Sequence, residues 1–454
     1  MTDDSVVVGR EEEISRGTIW KEIGKLAWPC AVEQIFASLM TLISTLLVSS
    51  LGKEAVNAVS ITTQPMFIPN IVLQAFNVGG TALIARFLGM QEEKNARRAC
   101  AQTLLLSILM SVVASAGLYL GSGPIIRMLG ATDDYYYLAL DYMRYSSIAI
   151  IFQAISVSVA AMLRGAGKTS LSMYFNILAS VVNVGVGYLL ISVFGLGVQG
   201  AGIAFLVSHI AGSLFALYLL FFQKDLPIHI KPKDVLIFDK DLVKRISRIG
   251  TGTALEQLVL RIGLIAFTML IVNLGTAEYA AHNIAGTIHN YVIAIGTAMS
   301  VALTSLVGQN LGANKPQLAE RYVKEALRIC WICIGVCMAI LLLFPGPIAS
   351  LFTKEADVKK NLVMCFRMLA LVAPGQILQQ SICGGLRGGG DTKWPLISTM
   401  LGVLGMRMVM GYVFINVFDM GLFGAWLANV LDQNLRGFII YLRFRSGKWK
   451  YLRV

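Results

Sequence analysis

At 454 residues, with 56% hydrophobic and 14% charged residues and a mean hydropathy of +0.69, the chain is far too apolar for a soluble domain, where about a quarter of residues carry charge. The net charge of +12 does not indicate a nucleic-acid partner, because the cations gather in short segments between apolar runs. The composition is that of an integral membrane protein.

In chain order, Met1–Arg16 is polar and lacks the apolar core of a cleaved signal peptide. Twelve apolar runs follow, near 24–50, 58–86, 99–122, 136–163, 169–194, 200–222, 246–274, 280–308, 325–346, 361–386, 393–418 and 421–442, each long enough to cross a bilayer as a helix. Of the 38 Lys and Arg, 28 fall in segments on the side of the N-terminal tail, while the alternating segments hold only Lys53, Arg127, Lys354, Lys359 and Lys360. That asymmetry predicts cytoplasmic termini and an even number of spans in the cell membrane.

The chain also repeats itself. Ala31-Val32-Glu33-Gln34 returns 223 residues later as Ala254-Leu255-Glu256-Gln257, Leu51-Gly52 as Leu274-Gly275, Thr81–Gly89 as Thr304–Gly312, Arg144 as Arg367, and Leu163–Thr169 as Leu386–Thr392. Near Gly187-Tyr188 and Gly411-Tyr412 the offset slips to 224. Six spans per copy make the copies parallel. The expected fold is an all-α polytopic membrane protein, with twelve transmembrane helices in two six-helix lobes related by a pseudo-two-fold along the membrane normal. The expected units are a cytoplasmic tail (1–22), an N-terminal lobe (23–222), a linker (223–245), a C-terminal lobe (246–443) and a basic tail (444–454). Gln223–Arg248, the longest polar stretch, carries two prolines and alternating charge.

Against this apolar background the in-span polar residues stand out. Glu33 and Glu256 sit in the first helix of each copy, and an acid at membrane depth is expected to be functional. Burial disfavours the charged form of a carboxylate, so such a group suits proton uptake and release or pairing with a cationic substrate; a hydrogen-bonded structural Glu is the alternative. Pro29 removes a helix hydrogen bond four residues before Glu33, and Pro374-Gly375 is expected to break the tenth span just before Gln376. Gln376 and its twin Gln153 are then either cavity-lining or helix–helix hydrogen-bonding residues. His282 and His289, seven apart, share a face of the eighth span and read as proton relays or as interface hydrogen-bonding groups. Arg144 and Arg367 read as snorkelling residues, with Asp141 a partner for Arg144.

The seven Cys lie mostly in apolar runs and read as packing residues, so no metal site is expected. Gly165-Ala166-Gly167-Lys168-Thr169 is no phosphate loop: Met162 stands where a glycine is needed, no strand precedes it, and Asp391 replaces the lysine in the repeat. No hydrolase motif appears, so neither an enzyme nor a cofactor is expected.

Taken together, Gly79–Met90, Ala280–Lys315 and Gly384–Pro395 resemble the multidrug and toxic compound extrusion (MATE) family, over a range from about Leu26 to Leu442. The resemblance implies two six-helix lobes around a central cavity, and export of organic cations and other amphipathic compounds by alternating access driven by inward H⁺ or Na⁺. The acid that many members carry in helix 7 matches Glu256. A helix 1 Asp falls at Ser44, the helix 5 Asn survives as Asn183 while its acidic partner falls at Gly187, and a helix 10 Asp falls at Gln376. Expectation therefore centres on Glu256, then Glu33, with Gln376, His282, Asn183, Gln34 and Gln257 around them. H⁺ is favoured over Na⁺, because sodium prefers several hard oxygen ligands. The protein is expected to act as a monomer. The alternative within transport is a flippase for a lipid-linked oligosaccharide, which would turn Arg261, Arg407 and Arg436 all into the cavity; a channel would need a ring of like residues from several chains.

Overall fold

The computed structural model describes residues 15–223, 226–235 and 237–452. The start of the expected N-terminal tail, residues 1–14, lies outside the described residues, as do linker positions 224, 225 and 236 and the last two residues.

Helix α1 (Arg16–Ser49) begins where the Ser15 hydroxyl accepts the Thr18 amide at 3.2 Å, satisfying one donor of the first turn. Then come α2 (Phe67–Gly89), α3 (Glu93–Leu120), α4 (Asp133–Gly165), α5 (Thr169–Tyr188, continued by a π turn Leu189–Val193) and α6 (Gly197–Phe222). The second copy gives α7 (Lys240–Val272), α8 (Thr276–Gly312), α9 (Pro316–Leu343) and α10 (Ala356–Gly388). It ends with α11, which runs Lys393–Thr399, π-wound Met400–Met410 and Gly411–Asn416, and with α12 (Gly421–Arg445). Eleven of these are long and apolar enough to cross a membrane. Helix α12 is long enough but carries Asn429, Asp432, Gln433, Asn434 and Arg436, which only a protein-covered or wet interior satisfies.

The apolar runs underestimate the helices. Helices α7 and α9 start well before the runs near 246 and 325, because charged turns continue the helix beyond the apolar stretch. In α9 those turns hold the i,i+4 pair Glu320–Lys324 at 2.6 Å. The second run is divided: Lys53–Thr63 forms a separate helix, and Pro65, with no amide hydrogen and a restricted residue before it, interrupts the path to α2.

The duplication is legible in single backbone angles. Residues with left-handed or otherwise positive φ recur as Gly52 and Gly275, Gln91 and Asn314, Gly167 and Gly390, Gly195 and Asp419, and Gly197 and Gly421. The one-residue slip in the repeat falls between Gly390 and Gly411, where α11 is π-wound over Met400–Met410; a π turn absorbs an extra residue without ending the helix.

Helices α1–α6 and α7–α12 form the two lobes, with separate apolar cores around Leu83, Phe175 and Leu219 in one and Phe366, Leu369 and Trp426 in the other. Each lobe's first helix also reaches across. Ile19, Ile23 and Leu26 of α1 pack with Val307, Ala319 and Tyr322 of α8 and α9, while Leu242 and Ile246 of α7 pack in the first lobe. The linker is less polar in place than its composition suggests, since Leu226, Ile228 and Ile230 are buried under the first lobe.

Candidate functional site

The lobes meet at the end shared with both termini, through glycines. A Cβ on Gly89 would stand 2.0 Å from the Gln309 carbonyl oxygen, and one on Gly312 would stand 2.1 Å from that of Arg86. These two contacts are the same contact seen from each copy, since Arg86 and Gln309 are repeat twins. A Cβ on Gly308 would meet the Cβ of its own twin, Ala85, at 2.8 Å. The pseudo-two-fold therefore passes between α2 and α8, where only small residues allow backbone contact. Gln309 Nε2 adds a 3.0 Å hydrogen bond to the Gly165 carbonyl.

Above this seal lies a cavity of about 1520 Å³ between the lobes. Its lining rises from Thr81, Arg164, Thr304 and Arg387 to Val48 and Gly187 near the opposite helix ends. Thr81 and Thr304, again twins, donate to the Ala161 and Gly384 carbonyls at 2.9 and 3.0 Å.

Both predicted acids line the cavity, and neither is free. Arg164 Nη2 donates to Glu33 Oε1 at 2.7 Å and Arg387 Nη2 to Glu256 Oε2 at 2.7 Å, each pair 131 residues apart. The arginines of the two LRG turns, at the C-termini of α4 and α10, reach back to the acids. Asn176 Nδ2 also donates to Glu33 Oε1 at 2.9 Å. The second pair is drier, with the Glu256 side chain 3% exposed against 12% for Glu33.

Gln34, Gln257, Asn183, His282 and Gln376 line the same cavity, as does Gln153. Ser44 Oγ donates to Asn183 Oδ1 at 2.9 Å, so two positions where the family resemblance weighs an Asp and an Asn form a neutral pair. Gln376 Oε1 bonds His289 Nε2, while His282 packs edge-on between Phe267 and Trp426 at centroid distances of 5.9 and 5.8 Å with its Nδ1 unpartnered. The predicted break at Pro374-Gly375 is absent. Helix α10 stays α-helical through it, Asn434 Nδ2 donates to the Leu371 carbonyl at 3.0 Å, and Gly375 is needed because a Cβ would lie 2.4 Å from the Gln433 carbonyl oxygen of α12. Nor does Asp141 pair with Arg144; it accepts Gln199 Nε2 at 2.6 Å, and Arg144 lies over Tyr119.

Arg407 and Arg436 are marked in the sequence, but Asp432 and Asn429 beside them are not. Arg407 of α11 and Arg436 of α12 line the second lobe's side of the cavity, both buried, and Arg407 Nη2 lies 2.6 Å from both Asp432 Oδ2 and Asn429 Oδ1. Asp432 and Arg436, four apart on one helical face, were the readable signal. Arg261, by contrast, is half-buried and outside the cavity lining, 3.6 Å over the Phe67 ring and 3.4 Å from Oε1 of Gln64, which does line the cavity.

The geometry describes two lobes, a cavity between them lined by many polar side chains, and a duplicated Glu–Arg floor. The MatE family model matches twice, over residues 29–189 and 253–413, once per copy. The chain is 27% identical over 443 residues to the probable multidrug resistance protein NorM of Thermotoga maritima, covering 95% of this chain and 93% of that one. Among solved structures it resembles MATE in the straight conformation (TM-score 0.88, 26% identity, 95% of this chain and 96% of that chain). It also resembles an outward-facing multidrug resistance MATE family transporter of the MOP superfamily (TM-score 0.87, 26% identity, 95% and 97%). The chain belongs to the MatE family and is a multi-pass membrane transporter rather than an enzyme.

Proposed function

We propose that the protein is an antiporter that exports amphipathic organic compounds, cations included, across the cell membrane, and that inward movement of H⁺ drives the exchange. The observation that carries this reading is the inter-lobe cavity sealed at one end by backbone packing around the pseudo-two-fold. Lobes joined in this way, residues 23–222 and 246–443, open one end as they close the other when they rock as bodies. The excess of Lys and Arg on the sealed side supports cytoplasmic termini, so the cavity drawn here faces outward. Both lobes lie in one chain, which supports action as a monomer. The description of the Thermotoga maritima relative as a probable multidrug resistance protein supports drug export.

Glu256 is the principal proton carrier in this reading, and Glu33 the second. A proton on Glu256 releases Arg387, and an organic cation reaches Glu256 only by displacing the same guanidinium. Proton and cation therefore contend for one negative charge, and exchange follows. Sodium fits less well, because it needs several oxygen ligands where an arginine already occupies each carboxylate. Gln34, Gln257, Asn183, His282 and Gln376 shape the polar wall. The flippase alternative required Arg261 in the cavity along with Arg407 and Arg436, and Arg261 is not among the residues that line it. Uptake of a cationic dye into inverted vesicles, under an imposed H⁺ or Na⁺ gradient in turn, tests the proposal: accumulation should follow the pH gradient, and accumulation that follows sodium alone refutes proton coupling.

A further inference from the structure

The second lobe's wall carries more positive charge than it neutralises. Arg407 has Asp432, and Arg387 has Glu256. Arg436 is 3% exposed, yet no carboxylate oxygen lies within 4.0 Å of it among the described residues. It donates to the Thr399 hydroxyl at 2.8 Å, and its Nε, like that of Arg407, has no hydrogen-bond partner among the described residues. A guanidinium held out of water without a counter-charge is costly, by several kcal/mol in general, and intramembrane ionisable groups that face a cavity mark substrate or ion paths.

The room for this side chain is built into the fold. Gly402, in the π-wound part of α11, lets Arg436 and Asp432 pass: a Cβ there would stand 2.4 Å from Arg436 Cγ and 2.2 Å from Asp432 Oδ1. In the first lobe the small and large positions are exchanged. Gly212, the twin of Arg436, faces Ala179, the twin of Gly402, and a Cβ on Gly212 would stand 3.0 Å from that of Ala179. Beyond the one-residue slip, the 224-residue offset makes Asn183 the twin of Arg407 and Ser208 the twin of Asp432; Asn183 Nδ2 donates to Ser208 Oγ at 3.4 Å, where Arg407 and Asp432 form a salt bridge. Thus the second lobe has acquired two guanidiniums and one carboxylate at positions that are neutral in the first.

We infer that Arg436, together with Arg407, forms an oxyanion subsite in the second lobe's wall of the cavity, which takes the carboxylate, sulfonate or phosphate of an amphipathic substrate. The substrate class so defined contains acidic and zwitterionic compounds as well as cations. This assignment rests on the exporter reading above, deepening it by naming a group that the cavity recognises. Fork-shaped guanidiniums suit planar or tetrahedral oxyanions by geometry as well as charge.

The test uses the full-length protein in lipid nanodiscs with two related xanthene dyes, fluorescein, which carries a carboxylate, and rhodamine 6G, which is cationic. Fluorescein binding, read by anisotropy, should weaken by about 30-fold or more in Arg436→Met and recover in part in Arg436→Lys. Rhodamine 6G binding should strengthen in Arg436→Met, because a repelling charge has gone. A merely structural arginine would weaken both dyes together and lower the unfolding temperature of the dye-free protein; that result overturns the subsite, as does fluorescein binding that survives in Arg436→Met. Vesicle uptake separates the two levels. If fluorescein binds through Arg436 but neither dye crosses, the subsite stands and the exporter reading falls.

Discussion

The two lobes share a backbone down to individual positive-φ residues, yet they face the cavity with different chemistry. Toward the first lobe the wall offers Ser44, Asn183 and Ser208, linked by hydrogen bonds. Toward the second, the twin positions hold Phe267, Arg407 and Asp432, with the Arg407 guanidinium 5.7 Å from the Phe267 ring centre. What both lobes keep is the floor, where the Glu33–Arg164 and Glu256–Arg387 pairs have the same distance and separation in sequence. Duplication preserved the elements that the two-fold contact and the floor require, while the walls were free to diverge. On the proposed reading, coupling belongs to the shared floor and substrate discrimination to the unlike walls.

The largest expected effect follows from the dryness of the second pair. Arg387→Met leaves Glu256 buried with no partner and should cost about 3–5 kcal/mol of stability. Arg164→Met should cost less, because Asn176 still donates to Glu33 and the site is wetter. Thermal unfolding of the two variants in the same detergent checks the order; equal losses would mean that the two floors are energetically alike.

A cut through the wall sharpens the contrast. Arg407→Asn and Asp432→Ser each break a buried salt bridge, and each should destabilise by a few kcal/mol. The double variant copies the first lobe's residues and should lose less than the sum of the single variants, because neither charge is left alone. A double-mutant cycle on unfolding gives the coupling directly, and strict additivity would show that the pair does not act as a unit.

The seal is shared by the lobes rather than divided between them. In Gly312→Val the added carbons meet the Arg86 carbonyl, so the sealed end should stay ajar. A cysteine placed at Thr304 in a cysteine-free background should then react with a membrane-impermeant thiol reagent from the sealed side, where the Gly312 parent is protected. The smallest effect is expected at Arg261, which stacks on Phe67 and is not among the cavity-lining residues: Arg261→Gln should change dye export by less than about twofold.

The fold was largely legible because its signals are local or periodic. Apolar runs, the bias of Lys and Arg, and an offset that a reader can lay over itself gave twelve helices in two parallel copies. The site was legible only in part. Glu256 and Glu33 stood out as acids in apolar helices, but Arg164 and Arg387 read as turn cations that set topology, since nothing local says that a long side chain folds back to an acid 131 residues away. Asp432 was readable, four residues before Arg436 on one face, yet a comparison aimed at the family's usual acids passed over it. Pro374-Gly375 misled for the opposite reason: the local rule predicts a break, and the packing of Gly375 on α12 with Asn434 at the Leu371 carbonyl holds the helix together.

The central claim is that the proton which drives export is carried by Glu256 on the shared floor. The direct measurement compares wild type and Glu256→Gln in proteoliposomes loaded with a cationic dye, recording both exchange of labelled for unlabelled dye and accumulation under an imposed pH gradient. Wild type should do both, and Glu256→Gln should exchange dye without concentrating it. Glu33→Gln should retain part of the accumulation. If Glu256→Gln concentrates dye as wild type does, or if wild-type accumulation ignores the pH gradient and follows sodium, Glu256 is not the proton carrier.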